Sequence, residues 1–102
     1  MPFANIKDSV LGKSYELSLV FIGETTSRKL NKQYRQKDKA TNVLSFPLDK
    51  KSGEIFITPS VAKKEGHSVG FLFIHGLLHL KGLEHGDTME RAEIKLRKIF
   101  NV

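Results

Sequence analysis

The chain contains no cysteine, which excludes disulfide bonds and thiolate ligands for any metal that it binds. No apolar run approaches the roughly 20 residues needed to cross a bilayer, and residues 1–12 lack the basic start and apolar stretch of a signal peptide. Internal repeats, low-complexity segments and linkers rich in proline or glycine are also missing. For a chain of 102 residues, these absences predict one undivided domain, residues 1–102, in the cytoplasm and without a membrane partner.

Acidic residues are few, since 11 Asp and Glu stand against 17 Lys and Arg and the net charge is +6. Part of the excess forms a block that contains one acid, Asp38, and the cations Arg28, Lys29, Lys32, Arg35, Lys37 and Lys39. Such an excess favours polyanionic partners, including nucleic acid, because binding releases the counterions of the polyanion. The alternative interpretation is a solvated helix face, which is what most charge runs form.

Three of the four histidines lie close together, in the segment F-L-F-I-H-G-L-L-H-L-K-G-L-E-H-G-D at residues 71–87. Positions i and i+4 share one face of a helix, so His75 and His79 can bind one ion. Gly82 can adopt the left-handed conformation that ends a helix, which lets the following loop present His85 to the same point. Three imidazoles suit Zn²⁺ and leave a fourth tetrahedral position for water, so the spacing predicts one catalytic zinc ion per chain.

The histidine spacing is shared with the H-E-x-x-H-x-x-G-x-x-H zinc proteases, but Gly76 stands where those enzymes have a glutamate base. The whole segment resembles instead the H-G-x-L-H-L-x-G-x-D-H signature of the YbeY family, single-strand-specific endoribonucleases that act as ribosomal RNA maturation factors. Residues 30–47, L-N-K-Q-Y-R-Q-K-D-K-A-T-N-V-L-S-F-P, and residues 53–57, G-E-I-F-I, resemble the family's other two signatures in the same order. Asn42, Glu54 and Glu84 stand where the family commonly has aspartate.

The resemblance implies a zinc-dependent hydrolase that cleaves the single-stranded ribosomal RNA precursor during rRNA maturation and ribosome quality control. It names ribosomal subunits or ribosomal proteins as further partners to consider. Arg35 matches the family's functionally important arginine and would bind and stabilise the reacting phosphate as a catalytic residue. Asn42 and Ser45 match the second signature as substrate contacts. Glu84 is expected either to orient a ligating imidazole by accepting its N–H or to take part in proton transfer.

Two other functions stay open on the sequence alone. A zinc hydrolase of peptides or small molecules would fit the protease-like spacing of the histidines. A non-catalytic ribosome-assembly module would use a structural zinc to hold its C-terminal part together. His67 has no ligand-like spacing from His75, and a surface or capping role is expected for it.

The hydrophobic pattern predicts an α+β domain with the element order β-α-β-β-α-α-α. We expect a small mixed β-sheet of three or four strands covered by helices, with the metal-binding helix at the centre. The predicted elements are a strand over 15–22, a helix from Thr25 or Thr26 to about Gln36, strands over 43–46 and 54–58 joined by a turn containing Pro47, Asp49 and Gly53, and helices over 59–66, over 68–81 and from Asp87 onward.

Two of these helices carry more detailed expectations. The first should place Leu30 and Tyr34 on its inner face. The last should begin with a capping box formed by Asp87 and Glu90. Its apolar stripe should be buried, and it consists of Met89, Ala92, Leu96, Ile99 and Phe100.

Overall fold

Five helices and three strands occur along residues 2–102, which are the residues that the computed structural model describes; Met1 of the predicted domain 1–102 lies outside them. In chain order they are α1 (Phe3–Leu11), β1 (Glu16–Phe21), α2 (Glu24–Arg35), β2 (Val43–Asp49), β3 (Ser52–Ile57), α3 (Pro59–Glu65), α4 (Val69–Leu80) and α5 (Asp87–Phe100). The α+β class is confirmed. None of the helices in residues 2–102 is long and apolar enough to span a membrane.

The sheet has the strand order β1-β3-β2, with β3 parallel to β1 and antiparallel to β2. The mixed sheet and the predicted hairpin of β2 and β3 are therefore confirmed. Strand β2 nevertheless continues through Pro47 to Asp49, where a turn was predicted, and the register shifts between these two residues. Proline is compatible with this position because β2 is an edge strand, of which one side alone needs ladder hydrogen bonds.

Helix α4 lies at the centre of the molecule and contacts β2, β3 and the helices α1, α3 and α5. It is apolar around most of its circumference, and the buried side chains that pack it into the core are Leu72, Phe73, Ile74, Leu77 and Leu78. A helix of this composition is stable because several neighbours bury its faces. The central position predicted for the histidine helix is thus confirmed.

Helix α1 was not predicted, and the expectation of a strand as the first element is wrong. Its residues Phe3, Ile6 and Val10 recur at helical spacing; Ile6 and Val10 are buried, and the Phe3 ring packs edge-on against Phe73 at 4.8 Å. No side chain caps its N-terminus at Pro2. This helix is short, so packing against α4 rather than local propensity stabilises it.

Helix α2 begins at Glu24, with Gly23 as its N-cap, so the predicted caps Thr25 and Thr26 lie within the first turn. Because glycine has no side chain, the cap residue makes no side-chain hydrogen bond to the free N–H groups of this turn. Glu24 places a negative charge in the first turn, where the helix dipole favours it.

The inner face of α2 differs in part from the prediction. Leu30 is half-buried, whereas Tyr34 is 56% exposed and packs its ring against Phe46 with 5.1 Å between the centroids. The fully buried residues of α2 are Ser27 and Asn31. Both side chains make hydrogen bonds to the loop that follows α2 instead of packing in the apolar core.

Helix α5 begins at Asp87 as predicted, but Gly86 is its N-cap and the predicted capping box does not form. Asp87 and Glu90 both lie in the first turn, where their charges suit the helix dipole without a side-chain cap. Met89 is fully buried, whereas Ile99 is 59% exposed because it lies on the outer face of the helix. The other three residues of the predicted stripe, Ala92, Leu96 and Phe100, are partly buried.

Candidate functional site

A cleft of about 460 Å³ lies between the end of α2, the start of β2 and one face of α4. It brings together all six residues for which metal or RNA contacts were predicted: Arg35, Asn42, Ser45, His75, His79 and His85. Glu84 does not line this cleft and is exposed in the loop between α4 and α5.

The three histidines converge at one end of the cleft. One ring nitrogen from each lies within 4.8 Å of the others. His75 and His79 come from adjacent turns of α4, with 3.1 Å between their Nε2 atoms, and His85 approaches from the following loop. Two ligands at about 2.0–2.1 Å from a tetrahedral ion would be about 3.3 Å apart. The cluster can therefore hold a metal ion.

The loop that carries His85 begins with a Schellman motif at the end of α4. Gly82 has a φ of +102°, its N–H donates to the His79 carbonyl at 2.9 Å, and the Leu83 N–H donates to the Leu78 carbonyl at 3.0 Å. A side chain at position 82 would be strained in this conformation. The left-handed turn predicted at Gly82 is confirmed.

Hydrogen bonds fix the orientation of both imidazoles on α4. The Nδ1 of His79 lies 3.0 Å from the Leu83 carbonyl oxygen, and the Nδ1 of His75 lies 2.8 Å from Oε1 of Glu93. Both partners are acceptors, so in the neutral form of each ring the proton lies on Nδ1 and Nε2 keeps a lone pair. The two lone pairs then face each other across 3.1 Å, an arrangement that is favourable when a cation lies between them.

Glu93 is a further residue of the candidate site that the sequence analysis missed. It lies on α5, and its side chain is 12% exposed where it contacts His75. A carboxylate behind a ligating histidine fixes the ring orientation and raises the basicity of the other nitrogen. Its signal was available, because Glu93 follows Met89 by four residues and precedes Leu96 by three, which places a charged side chain on the inward face of α5.

The environment of His79 favours the neutral form that metal binding requires. Burial lowers the pKa of His79 below its ordinary value of 6.5, and the nearby imidazoles of His75 and His85 and the Arg35 guanidinium lower it further. The hydrogen bond to the Leu83 carbonyl opposes this effect. The unprotonated ring is therefore available to a cation at neutral pH.

Arg35 is the last residue of α2 and lies exposed at the cleft. The one acid in the basic block, Asp38, pairs with Arg28 at 2.6 Å instead. No salt bridge within residues 2–102 involves Arg35. Its guanidinium is thus available to an anionic ligand that enters the cleft.

The loop that follows α2 is tied to the inner face of that helix. The Ser27 hydroxyl donates to the Thr41 carbonyl at 3.0 Å and accepts from the Thr41 N–H at 2.9 Å. The Asn31 side-chain amide donates to the Lys39 carbonyl at 2.9 Å. These contacts explain the buried polar residues of α2 and hold Asn42 on the same cleft as Arg35.

Asn42 and Ser45 both have partners within the protein. The Asn42 side-chain amide donates to Oε1 of Glu65 at 2.8 Å, and the Ser45 hydroxyl donates to the Gly76 carbonyl at 3.2 Å. The second bond ties β2 to α4 behind the histidines. The contacts of Asn42 and Ser45 with RNA stay predictions.

Packing accounts for glycine at position 76, where the zinc proteases have their base. A Cβ atom on Gly76 would lie 3.0 Å from Cδ1 of Ile55 and 3.0 Å from Oγ of Ser45. Position 76 therefore faces the sheet, and a glutamate there would have to displace the side chains of Ile55 and Ser45.

The chain is similar to known proteins of one family. A family model described as Endoribonuclease YbeY matches residues 3–100. The protein named Endoribonuclease YbeY from Persephonella marina is 35% identical over an alignment 103 positions long. The alignment covers 85% of this chain and 65% of the relative. Its counterpart from Finegoldia magna is 40% identical over 93 residues, covering 76% of this chain and 61% of the relative. The chain thus spans about two thirds of the length of these relatives.

Among solved structures, the solution structure of TM1509 from Thermotoga maritima is similar in fold. The TM-score is 0.62 at 23% sequence identity, and the match covers 97% of this chain and 79% of the other. A third curated relative, Endoribonuclease YbeY from Francisella philomiragia, is 33% identical over 112 residues, covering 91% of this chain and 71% of the relative. Because the family model covers nearly all of the chain and such relatives align along most of its length, this protein belongs to the Endoribonuclease YbeY family.

Proposed function

We propose that this protein is a zinc-dependent endoribonuclease that cleaves single-stranded RNA by hydrolysis of a phosphodiester bond. The observation that carries the proposal is the convergence of His75, His79 and His85 in the same cleft as Arg35. The three histidines can hold a metal ion beside the reacting phosphodiester, and Arg35 can stabilise the negative charge of its phosphate. The relatives that match this chain are named endoribonucleases, which supports RNA as the substrate.

Zinc is the metal that the donor set favours. The three ligands are imidazole nitrogens, the chain has no cysteine, and the two imidazoles on α4 present neutral Nε2 atoms to one point. Zinc bound there would supply a Lewis acid for a phosphoryl oxygen and would lower the pKa of the attacking water. One such ion per chain is expected.

The side chains around the ligands have separate tasks. Arg35 binds the phosphate in a two-pronged contact and stabilises the negative charge that develops on it. Glu93 and the Leu83 carbonyl keep the imidazoles of His75 and His79 oriented toward the centre. The buried packing of α4 keeps both ligands in place when the substrate enters.

The form of the cleft supports a single-stranded substrate. His75 and His79 are partly buried, so a phosphodiester must enter the cleft to reach them. A flexible single strand can turn one phosphate inward, whereas a duplex holds its backbone on a rigid helix. We further propose that the substrate in the cell is the ribosomal RNA precursor, cleaved in the cytoplasm during rRNA maturation and ribosome quality control, with ribosomal subunits or ribosomal proteins as partners.

The geometry gives less support to the two alternatives. A peptide hydrolase of the zinc-protease type needs a base at position 76, where Gly76 packs directly against the sheet. A structural zinc is normally held by four protein ligands, whereas the cluster within residues 2–102 offers three, all from α4 and the loop that follows it. Removal of zinc is therefore expected to stop catalysis without unfolding the domain.

The test compares zinc-loaded protein, chelator-treated protein and a His79→Ala variant on three substrates: a single-stranded fragment of ribosomal RNA precursor, the same fragment annealed to its complement, and a peptide mixture. We expect cleavage of the single strand by the zinc-loaded protein alone, with circular dichroism unchanged in all three samples. Cleavage of peptides and not RNA would favour the hydrolase of peptides. Loss of the folded spectrum on chelation, with no RNA cleavage beforehand, would favour the assembly module.

A further inference from the structure

Three aromatic rings form a row that leads along the cleft to the metal centre. The ring centroids of His67 and Phe71 are 5.2 Å apart, and those of Phe71 and His75 are 6.1 Å apart. His67 immediately precedes Ser68, the N-cap of α4, and is exposed, while Phe71 is half-buried. Both line the same cleft as the metal ligands, although neither has a place in the metal site.

Phe71 also contacts an arginine. The guanidinium carbon of Arg97 lies 5.0 Å from the centre of the Phe71 ring, and its Nε donates to the Val102 carbonyl at 3.1 Å. Arg97 does not line the cleft. A cation over an aromatic ring is attracted to it, which holds the ring in place. Phe71 is thus fixed by Arg97 while it lines the cleft.

We propose that His67 and Phe71 form a stacking platform for an RNA base next to the phosphodiester that is cleaved. The proposal rests on the proposed function and adds to it a binding site for one nucleotide. Aromatic side chains stack any of the four bases, because each base has a π face, and this mode of recognition requires an unpaired base. The platform would thus contribute to the preference for single strands without imposing a sequence.

The position of the platform identifies the base that it would bind. Phe71 lies one helical turn before His75, so a base on Phe71 belongs to the nucleotide directly beside the phosphate at the metal centre. Arg35 lines the same cleft and can bind a phosphate of the same strand. A single RNA strand would therefore place one base on the rings of His67 and Phe71 and a backbone phosphate beside Arg35.

The experiment uses single-stranded RNA oligonucleotides that carry one abasic ribonucleotide, moved one position at a time past the cleavage site. For the parent protein, we expect kcat/KM to fall about 5- to 150-fold when the abasic nucleotide occupies one position beside the cut, which is the effect of losing one stacked base. Abasic nucleotides at distant positions should change the rate less than twofold. This part of the test needs no variant, so it does not depend on the folding of one.

Variants then assign the effect to the rings. Phe71→Leu and His67→Ala should lose activity on intact RNA and lose little more on the abasic substrate, whereas Phe71→Tyr should behave like the parent. The matched control is Phe21→Leu, because Phe21 is an exposed phenylalanine outside the cleft. Binding of a 2′-O-methyl oligonucleotide, measured by fluorescence anisotropy, should weaken in the same two variants and in neither Phe71→Tyr nor Phe21→Leu.

Two results would overturn the platform. If the parent cleaves RNA and all abasic positions have the same effect, the platform is wrong and the proposed function stands. If the abasic penalty beside the cut is unchanged in folded Phe71→Leu and His67→Ala, the base is bound elsewhere. Failure of the parent to cleave any RNA would overturn both the proposed function and the platform.

Discussion

Removal of the Glu93 carboxylate should weaken metal binding without unfolding α5. The contact between Oε1 of Glu93 and Nδ1 of His75 is 2.8 Å long, and the two side chains are 12% and 17% exposed, so solvent screens it weakly. A hydrogen bond to a charged group contributes about 1.5–3 kcal/mol, which corresponds to roughly 10- to 150-fold in an equilibrium constant. Loss of a partner behind a metal ligand typically weakens metal affinity about 10- to 100-fold. We therefore expect the zinc affinity of Glu93→Ala to be about 10- to 100-fold lower than that of the parent.

Zinc affinity is measured by competition with a chromogenic chelator, and the visible spectrum of bound Co²⁺ reports the ligand geometry. Glu93→Gln should give an intermediate affinity, because its amide oxygen still accepts from His75 but carries no charge. Glu90→Ala is the matched control, since Glu90 is an exposed acid on the same helix, and Glu84→Ala tests the residue that was predicted from the sequence. Parental affinity in Glu93→Ala, or an equal loss in Glu84→Ala, would refute the role assigned to Glu93.

Three further predictions concern the cleft and its support. Arg35→Ala should keep its zinc and its fold but lose about 10- to 150-fold in kcat/KM on RNA, the effect of one charge-assisted phosphate contact, and Arg35→Lys should recover part of the loss. The metal-free protein should lose stability as pH falls below about 6.5, because the lowered pKa of His79 makes the folded state bind fewer protons than the unfolded state; thermal melting in chelator from pH 8 to pH 5 measures this. Gly76→Ala should raise the free energy of unfolding in urea titrations by less than the roughly 1 kcal/mol that alanine normally contributes over glycine within a helix, because its Cβ would meet the side chains of Ile55 and Ser45 at 3.0 Å.

Each of these predictions has an outcome that contradicts it. Parental RNA cleavage by Arg35→Ala would remove the arginine from the catalytic site. A metal-free protein equally stable at pH 8 and pH 5 would contradict the lowered pKa of His79. A Gly76→Ala variant more stable than the parent by the full ~1 kcal/mol would show that the side chains of Ile55 and Ser45 move away from α4 without cost.

The features that could be predicted from the sequence depend on neighbours along the chain. His75 and His79 share a face because helical geometry repeats every few residues, and Gly82 ends the helix because glycine adopts a positive φ without strain. The apolar content of α4 likewise predicted its central position. Helix α1 shows the limit of such patterns. Its apolar stretch is too short to form a stable helix by itself, and contact with α4 stabilises it.

The composition of the site beyond the ligands was decided by tertiary structure. Glu93 reaches His75 across 18 residues of chain because α5 packs against α4, and nothing in the local pattern says which helix faces the histidines. Arg35 joins the cleft because Ser27 and Asn31 tie the following loop to α2. Local sequence sets the dihedral angles and periodicity of each element, whereas burial of the shared core selects which faces meet. The candidate histidine ligands were therefore visible in the sequence, and the residues that orient them and complete the cleft were visible in the fold.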